Sequence, residues 1–151
     1  MTTEDTPEED EQLAEPASAR RVSAWNWRRM EQGRFQEYVI EALEALPAAF
    51  RDKMENVEIV VEPWPNAQTL RQAGVNHPNG LLGFYHGVPQ TRRTHQYGLV
   101  LPDKISLYLY PILLRCSSAQ EVREMVRHVL YHELAHHFGI DDNRLHEIGA
   151  Y

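Results

Sequence analysis

The sequence predicts one domain containing both helices and strands, and three observations predict it. Apolar residues recur at helical spacing near 35–46, a β-branched run fills 56–62, and residues 105–110 alternate apolar and polar side chains. A length of 151 residues fits a single domain. At 42% hydrophobic and 25% charged, the chain has a globular composition.

Residues 1–20 are acidic, polar and Pro-containing, with too little apolar surface to offset the entropy of ordering, so a disordered tail is expected there. A lead-in over 21–34 carries Arg20, Arg21, Arg28, Arg29 and Arg34 at or beside it, interleaved with Trp25 and Trp27. The folded domain is expected over 35–151. Its first helix, 35–46, presents Phe35, Val39, Ala42, Leu43 and Leu46 on one stripe and stops at Pro47. Asn56 to Glu62 reads as a strand closed by Pro63. His77-Pro78-Asn79-Gly80 is a turn signal, and a short strand is expected over 81–85. Residues 86–103 read as an excursion punctuated by Pro89 and Pro102.

The alternation at 105–110 predicts a half-buried strand, with Ile105, Leu107 and Leu109 on one side and Ser106, Tyr108 and Tyr110 on the other. Ser118-Ala119-Gln120-Glu121 has the capping-box pattern of a helix start. Val122, Met125, Val126 and Val129 give that helix its buried stripe, and Gly139 is its expected left-handed terminus. A last short helix is expected over 142–148.

Charge and cysteine usage exclude several classes. Residues 1–16 hold seven acids and no base, so the formal charge of −7 sits wholly on that segment and the remainder is neutral. A neutral body makes nucleic acid an unlikely partner, because phosphate contacts need clustered bases. The Arg/Trp lead-in is the one local exception, and packing on the domain is its plainer use. No apolar run is long enough to span a bilayer, and the acidic start is unlike a secretory signal. A single cysteine, Cys116, excludes an internal disulfide, is expected as a buried small hydrophobe, and fits a reducing, cytoplasmic setting.

The strongest chemical signal is His132-Glu133-Leu134-Ala135-His136. Histidines at i and i+4 share a helical face, so both imidazoles can reach one metal ion. Glu133, beside them, is placed to take a proton from water held there. Gly139 and Asp142 follow at three-residue steps, giving H-E-x-x-H-x-x-G-x-x-D. The glycine lets the chain leave the helix, and the aspartate can offer a third ligand. With eight histidines in the chain, the five-residue motif has a chance of roughly 4% of arising somewhere, and the extension lowers this to about 0.02%. A solvent-facing polar stripe and a metal site without catalysis are the rival uses. His146 is an alternative third ligand or a transition-state donor, with Asp141 and Glu147 also open. His128 and His137 are expected at surface or supporting positions.

These stretches together resemble a family of small bacterial zincin-like metallopeptidases, the minimal zincins. The matching segments are FQEYVIEALEALP at 35–47, NVEIVVE at 56–62, LLGFYHGVP at 81–89, PDKISLYLYPILL at 102–114 and HELAHHFGIDDNRLHEIG at 132–149. The motif also looks like that of the metzincins with aspartate as third ligand, although none of the nine residues at 143–151 is the methionine that their methionine turn needs. The resemblance implies an α+β, zincin-like fold, with a small mixed sheet packed against an N-terminal helix and an active-site helix. It implies one Zn2+ per chain held by His132, His136 and Asp142, with Glu133 as catalytic base.

The expected function is therefore a zinc metallopeptidase hydrolysing peptide bonds of a peptide or protein substrate. The alternative is a metal-binding zincin-like interaction module without turnover. Oxyanion donors are expected among His146, Tyr108, Tyr110 and Tyr151. The substrate is expected to add as a strand along an exposed edge, at 81–85 or 105–110.

Overall fold

The computed structural model describes residues 17–87 and 103–147, with side chains from residue 27 onward apart from those of Asp142 and Leu145. The predicted excursion at 86–103 and the acidic segment 1–16 fall mostly or wholly outside these residues.

Helix α1 runs over Ala17–Glu44, well upstream of the predicted start at residue 35. Its buried stripe is Phe35, Tyr38, Val39 and Ala42, continued by Leu46 beyond the helix end. One turn before Phe35 the stripe continues with a buried acid, Glu31, not an apolar residue. Its carboxylate accepts from the Tyr38 hydroxyl at 2.6 Å and lies 3.8 Å from the Arg34 guanidinium, which compensates its burial. Trp27 of the same helix packs partly buried against the core. An apolar count stops short at this point because Glu31 interrupts the stripe.

A one-turn helix α2 (Ala48–Arg51) leads to strand β1 (Val57–Glu62). Helix α3 (Ala67–Ala73) follows, with the Asn66 side chain accepting from Thr69 N–H as its cap. The His77–Gly80 turn is a short 3₁₀ helix, Pro78–Gly80, before strand β2 (Gly83–His86). Strand β3 (Asp103–Tyr108) completes a three-stranded mixed sheet of order β1-β3-β2, parallel between β1 and β3 and antiparallel between β2 and β3.

Two expectations about β3 are corrected. It is not half-buried: Ile105 and Leu107 are buried on one face, and Ser106 and Tyr108 on the other, because β3 is the middle strand. It also ends at Tyr108, where the backbone turns directly into helix α4 (Leu109–Leu114). Pro111 is compatible with this start, since the first helical turn has no use for its missing N–H. Leu109, expected to close the apolar side of the strand, thus becomes the first residue of a buried helix with Ile112 and Leu113.

Helix α5 (Ala119–Phe138) is the spine of the molecule. Ser118 Oγ accepts from Glu121 N–H at 3.2 Å, while the Glu121 carboxylate accepts from Ser117 N–H, so the capping signal forms with a one-residue shift of its return bond. Gly139 takes φ 71°, and N–H groups of Gly139 and Ile140 bond back to the carbonyls of His136 and Ala135 at 3.1 and 2.9 Å. This is the left-handed helix end that frees the chain to turn. Helix α6 (Asp142–Glu147) follows.

α5 packs between α1 on one side and the sheet on the other, joined to α1 by the Tyr131 hydroxyl, which donates to the Ala42 carbonyl at 2.8 Å. The architecture is α+β, with helices gathered around a small mixed sheet. No helix among the described residues is long and apolar enough to cross a membrane. Cys116 is buried just before α5, and burial pushes its thiol up, the state of a packing residue and not a nucleophile.

Candidate active site

The last two turns of α5 carry both motif histidines. Their rings are 4.9 Å apart between centroids, with planes at 63°. Two imidazoles sharing a tetrahedral zinc at 2.0–2.1 Å would hold their centroids about 5 Å apart, so the spacing fits a common ion. Two nitrogens with a carboxylate near them also form a donor set that suits zinc. His136 is about half exposed, and His132 is partly so, which leaves this face of the helix open to solvent.

Glu133 points differently. It is 7% exposed, and its Oε2 stands 3.3 Å from Nδ1 of His136. Its stem lies against strand β2 at Gly83. A Cβ built on that glycine would stand 2.6 Å from Val129 Cγ1, 3.1 Å from the Ser106 carbonyl and 3.2 Å from Glu133 Cγ. Gly83 therefore admits α5 closely enough for Glu133 to lie beneath β2.

β2 is bonded to β3 along one side and has no strand on its other side among the described residues. Of the two edges expected for substrate, the one at 105–110 is excluded because β3 is central, and β2 remains. On β2, His86 faces Ser106, with Nε2 3.5 Å from Oγ. Burial holds the His86 imidazole below its ordinary value, and Lys104 nearby adds to the effect.

His137 is fully buried, not at the surface. Its Nδ1–H donates to Asp103 Oδ2 at 2.7 Å, and the Tyr85 hydroxyl donates to the same oxygen at 2.6 Å. The Tyr85 ring lies 6.0 Å from the His137 ring and 6.3 Å from the His136 ring, edge-on to both. Asp103 and Tyr85 were not singled out by sequence reasoning. Asp103 sits in a Pro-Asp-Lys sequence that reads as a turn, and its partners come from 18 and 34 residues away. His128 is exposed, as expected.

Beyond α5, Asp141 Oδ1 accepts from Arg144 N–H at 2.9 Å, the pattern of a helix cap on α6, and Glu147 pairs with Arg144 at 3.1 Å. His146 is exposed on α6, and Asp142 opens that helix. Among the described residues, which leave out the Asp142 side chain, no three His, Cys, Asp or Glu side chains gather as a ready ligand set. The aromatic donors expected at Tyr108 and Tyr110 are corrected. Tyr108 is buried on the sheet face turned away from Gly83 and α5, and Tyr110 stacks on Trp64 at 5.5 Å. Tyr151 lies outside the described residues.

A family model described as zincin-like metallopeptidase matches residues 54–150, which take in both strands at the site, the motif helix and α6. No curated protein matches the chain.

Proposed function

Because the chain belongs to the zincin-like metallopeptidase family, we propose that it is a zinc-dependent peptidase with its reaction centre on the last two turns of α5. The observation that carries this reading is the paired His132 and His136 rings beside a buried Glu133, under a strand edge that no strand among the described residues covers. His132 and His136 hold one Zn2+ per chain, with Asp142 as third ligand. The partners that Asp141 and Glu147 have in Arg144 favour Asp142 over them, with His146 as its alternative. Zinc, when bound, supplies Lewis acidity that makes water a better acid and polarises the scissile carbonyl.

The remaining steps belong to the chain. An extended peptide pairs with the edge of β2 that faces away from β3, which sets its scissile bond beside Glu133. Glu133 accepts the proton of the attacking water and delivers it to the departing amine. Its burial suits this exchange, because a carboxylate shielded from bulk water keeps its proton for the leaving group. His146, exposed on the short helix after the motif, is the donor to the developing oxyanion that remains among the described residues. A single buried thiol suits a reducing, cytoplasmic setting.

A mixed peptide library incubated with zinc-loaded protein tests the reading. Cleavage is expected, lost with chelator, and lowered at least about a hundredfold in Glu133→Gln, the share general base catalysis commonly supplies. Zinc bound without any cleavage would replace the peptidase with a metal-binding interaction module.

A further inference from the structure

Behind the metal face lies a second cluster of polar side chains. Asp103, 1% exposed, begins β3 and is fixed there by its N–H bonding the Asn56 carbonyl at 2.8 Å. One of its oxygens takes two donors from two other elements: the Tyr85 hydroxyl from β2 and the His137 Nδ1–H from α5. Gly87 packs so closely on this carboxylate that an added Cβ would overlap Asp103 Oδ1 and stand 2.9 Å from the Tyr85 hydroxyl. A buried carboxylate is costly to desolvate, and a cluster of this kind is tolerable only when its members satisfy one another. Stability alone would be served as well by apolar side chains in the same volume. The cluster instead ties together the two elements that form the proposed cleft, α5 and the edge strand β2.

The position of His137 sharpens its role. It follows His136 directly, so fixing its ring fixes the backbone of the turn that carries His136. Tyr85 acts from the other side, because its ring rests against His136 itself while its hydroxyl is held by Asp103. Ring orientation and turn geometry of the same metal ligand thus depend on one carboxylate.

We propose that Asp103 is a positioning residue of the metal site, holding His136 in its zinc-binding orientation through His137 and Tyr85. This inference rests on the zinc-site reading above and adds a residue that is remote in sequence and never touches the ion. Groups that orient ligands from behind commonly set affinity by roughly ten- to a hundredfold. Asp103→Asn keeps the shape but is a weaker acceptor for two donors, and Tyr85→Phe removes one donor while keeping the ring.

The test is zinc affinity of the full chain by competition with a chelating dye, with the visible spectrum of the cobalt-loaded protein as a second readout. Tyr38→Phe is the control, because it loses a buried hydrogen bond to Glu31 within α1, a helix that carries none of the proposed ligands. Asp103→Asn is expected to bind zinc roughly tenfold or more weakly and to shift the cobalt bands, with Tyr85→Phe intermediate and Tyr38→Phe unchanged. Should Asp103→Asn not fold, weakened binding by folded Tyr85→Phe carries the same conclusion. Wild-type affinity and spectrum in the folded Asp103 and Tyr85 variants would reduce the cluster to a structural clamp and overturn the proposal. A wild type that binds no zinc would overturn the metal-site reading itself, and this inference with it.

Discussion

The two halves of α5 obey different rules. Up to Tyr131 its buried residues are Val122, Val126, Val129, Leu130 and Tyr131, an apolar stripe capped by Ser118 and wedged between α1 and the sheet. From His132 onward, Leu134, Ala135 and Phe138 are interrupted by buried Glu133 and His137, and the exposed side carries two histidines. The first half follows what packing alone would select. The second accepts buried polar groups that packing disfavours and keeps them tolerable with a partner network. Such departures from packing logic are where function is expected to concentrate.

The contrast predicts that damage to the first half appears as lost stability, and damage to the second as lost metal. Leu130→Ala has the largest expected effect, about 2–5 kcal/mol of unfolding free energy from a fully buried position. Urea unfolding measures it, and zinc uptake below the transition should be unchanged. Tyr131→Phe is expected to cost about 1 kcal/mol by removing the bond to the Ala42 carbonyl. His132→Ala inverts the pattern: stability of the metal-free protein should change by no more than about 0.5 kcal/mol while zinc is lost. A large stability loss there would erase the distinction between the halves.

The smallest effect concerns pH. Burial holds the His86 imidazole low, so the unfolded chain takes up a proton there before the folded one does. Stability therefore falls as pH drops below about 6.5 and levels off once the folded imidazole is charged as well. His86→Gln should make the decline between pH 7 and 5 shallower in otherwise identical urea titrations. An unchanged slope would remove His86 from the acid response.

Much of this was legible because its signals are local. The capping box at Ser118, the left-handed exit at Gly139, the strand at 56–62 and the helical spacing of His132 and His136 each lie within a few residues. What escaped was set by the fold. The alternation of 105–110 is compatible with a strand along its whole length, yet Leu109 enters α4, since apolar runs do not declare their period. The length of α1 was hidden by Glu31, whose burial makes sense only once Tyr38 and Arg34 stand around it. Asp103 was hidden further still, because Tyr85 and His137 meet it only after the sheet has formed on α5.

The most direct test is zinc content by elemental analysis of protein prepared without chelator and reloaded with zinc, for wild type beside His132→Ala and Asp142→Ala. One zinc per chain in the wild type, lost in both variants, is the predicted result. Zinc lost only in His132→Ala would move the third ligand to His146. A wild type that retains none after reloading would contradict the metal centre on α5.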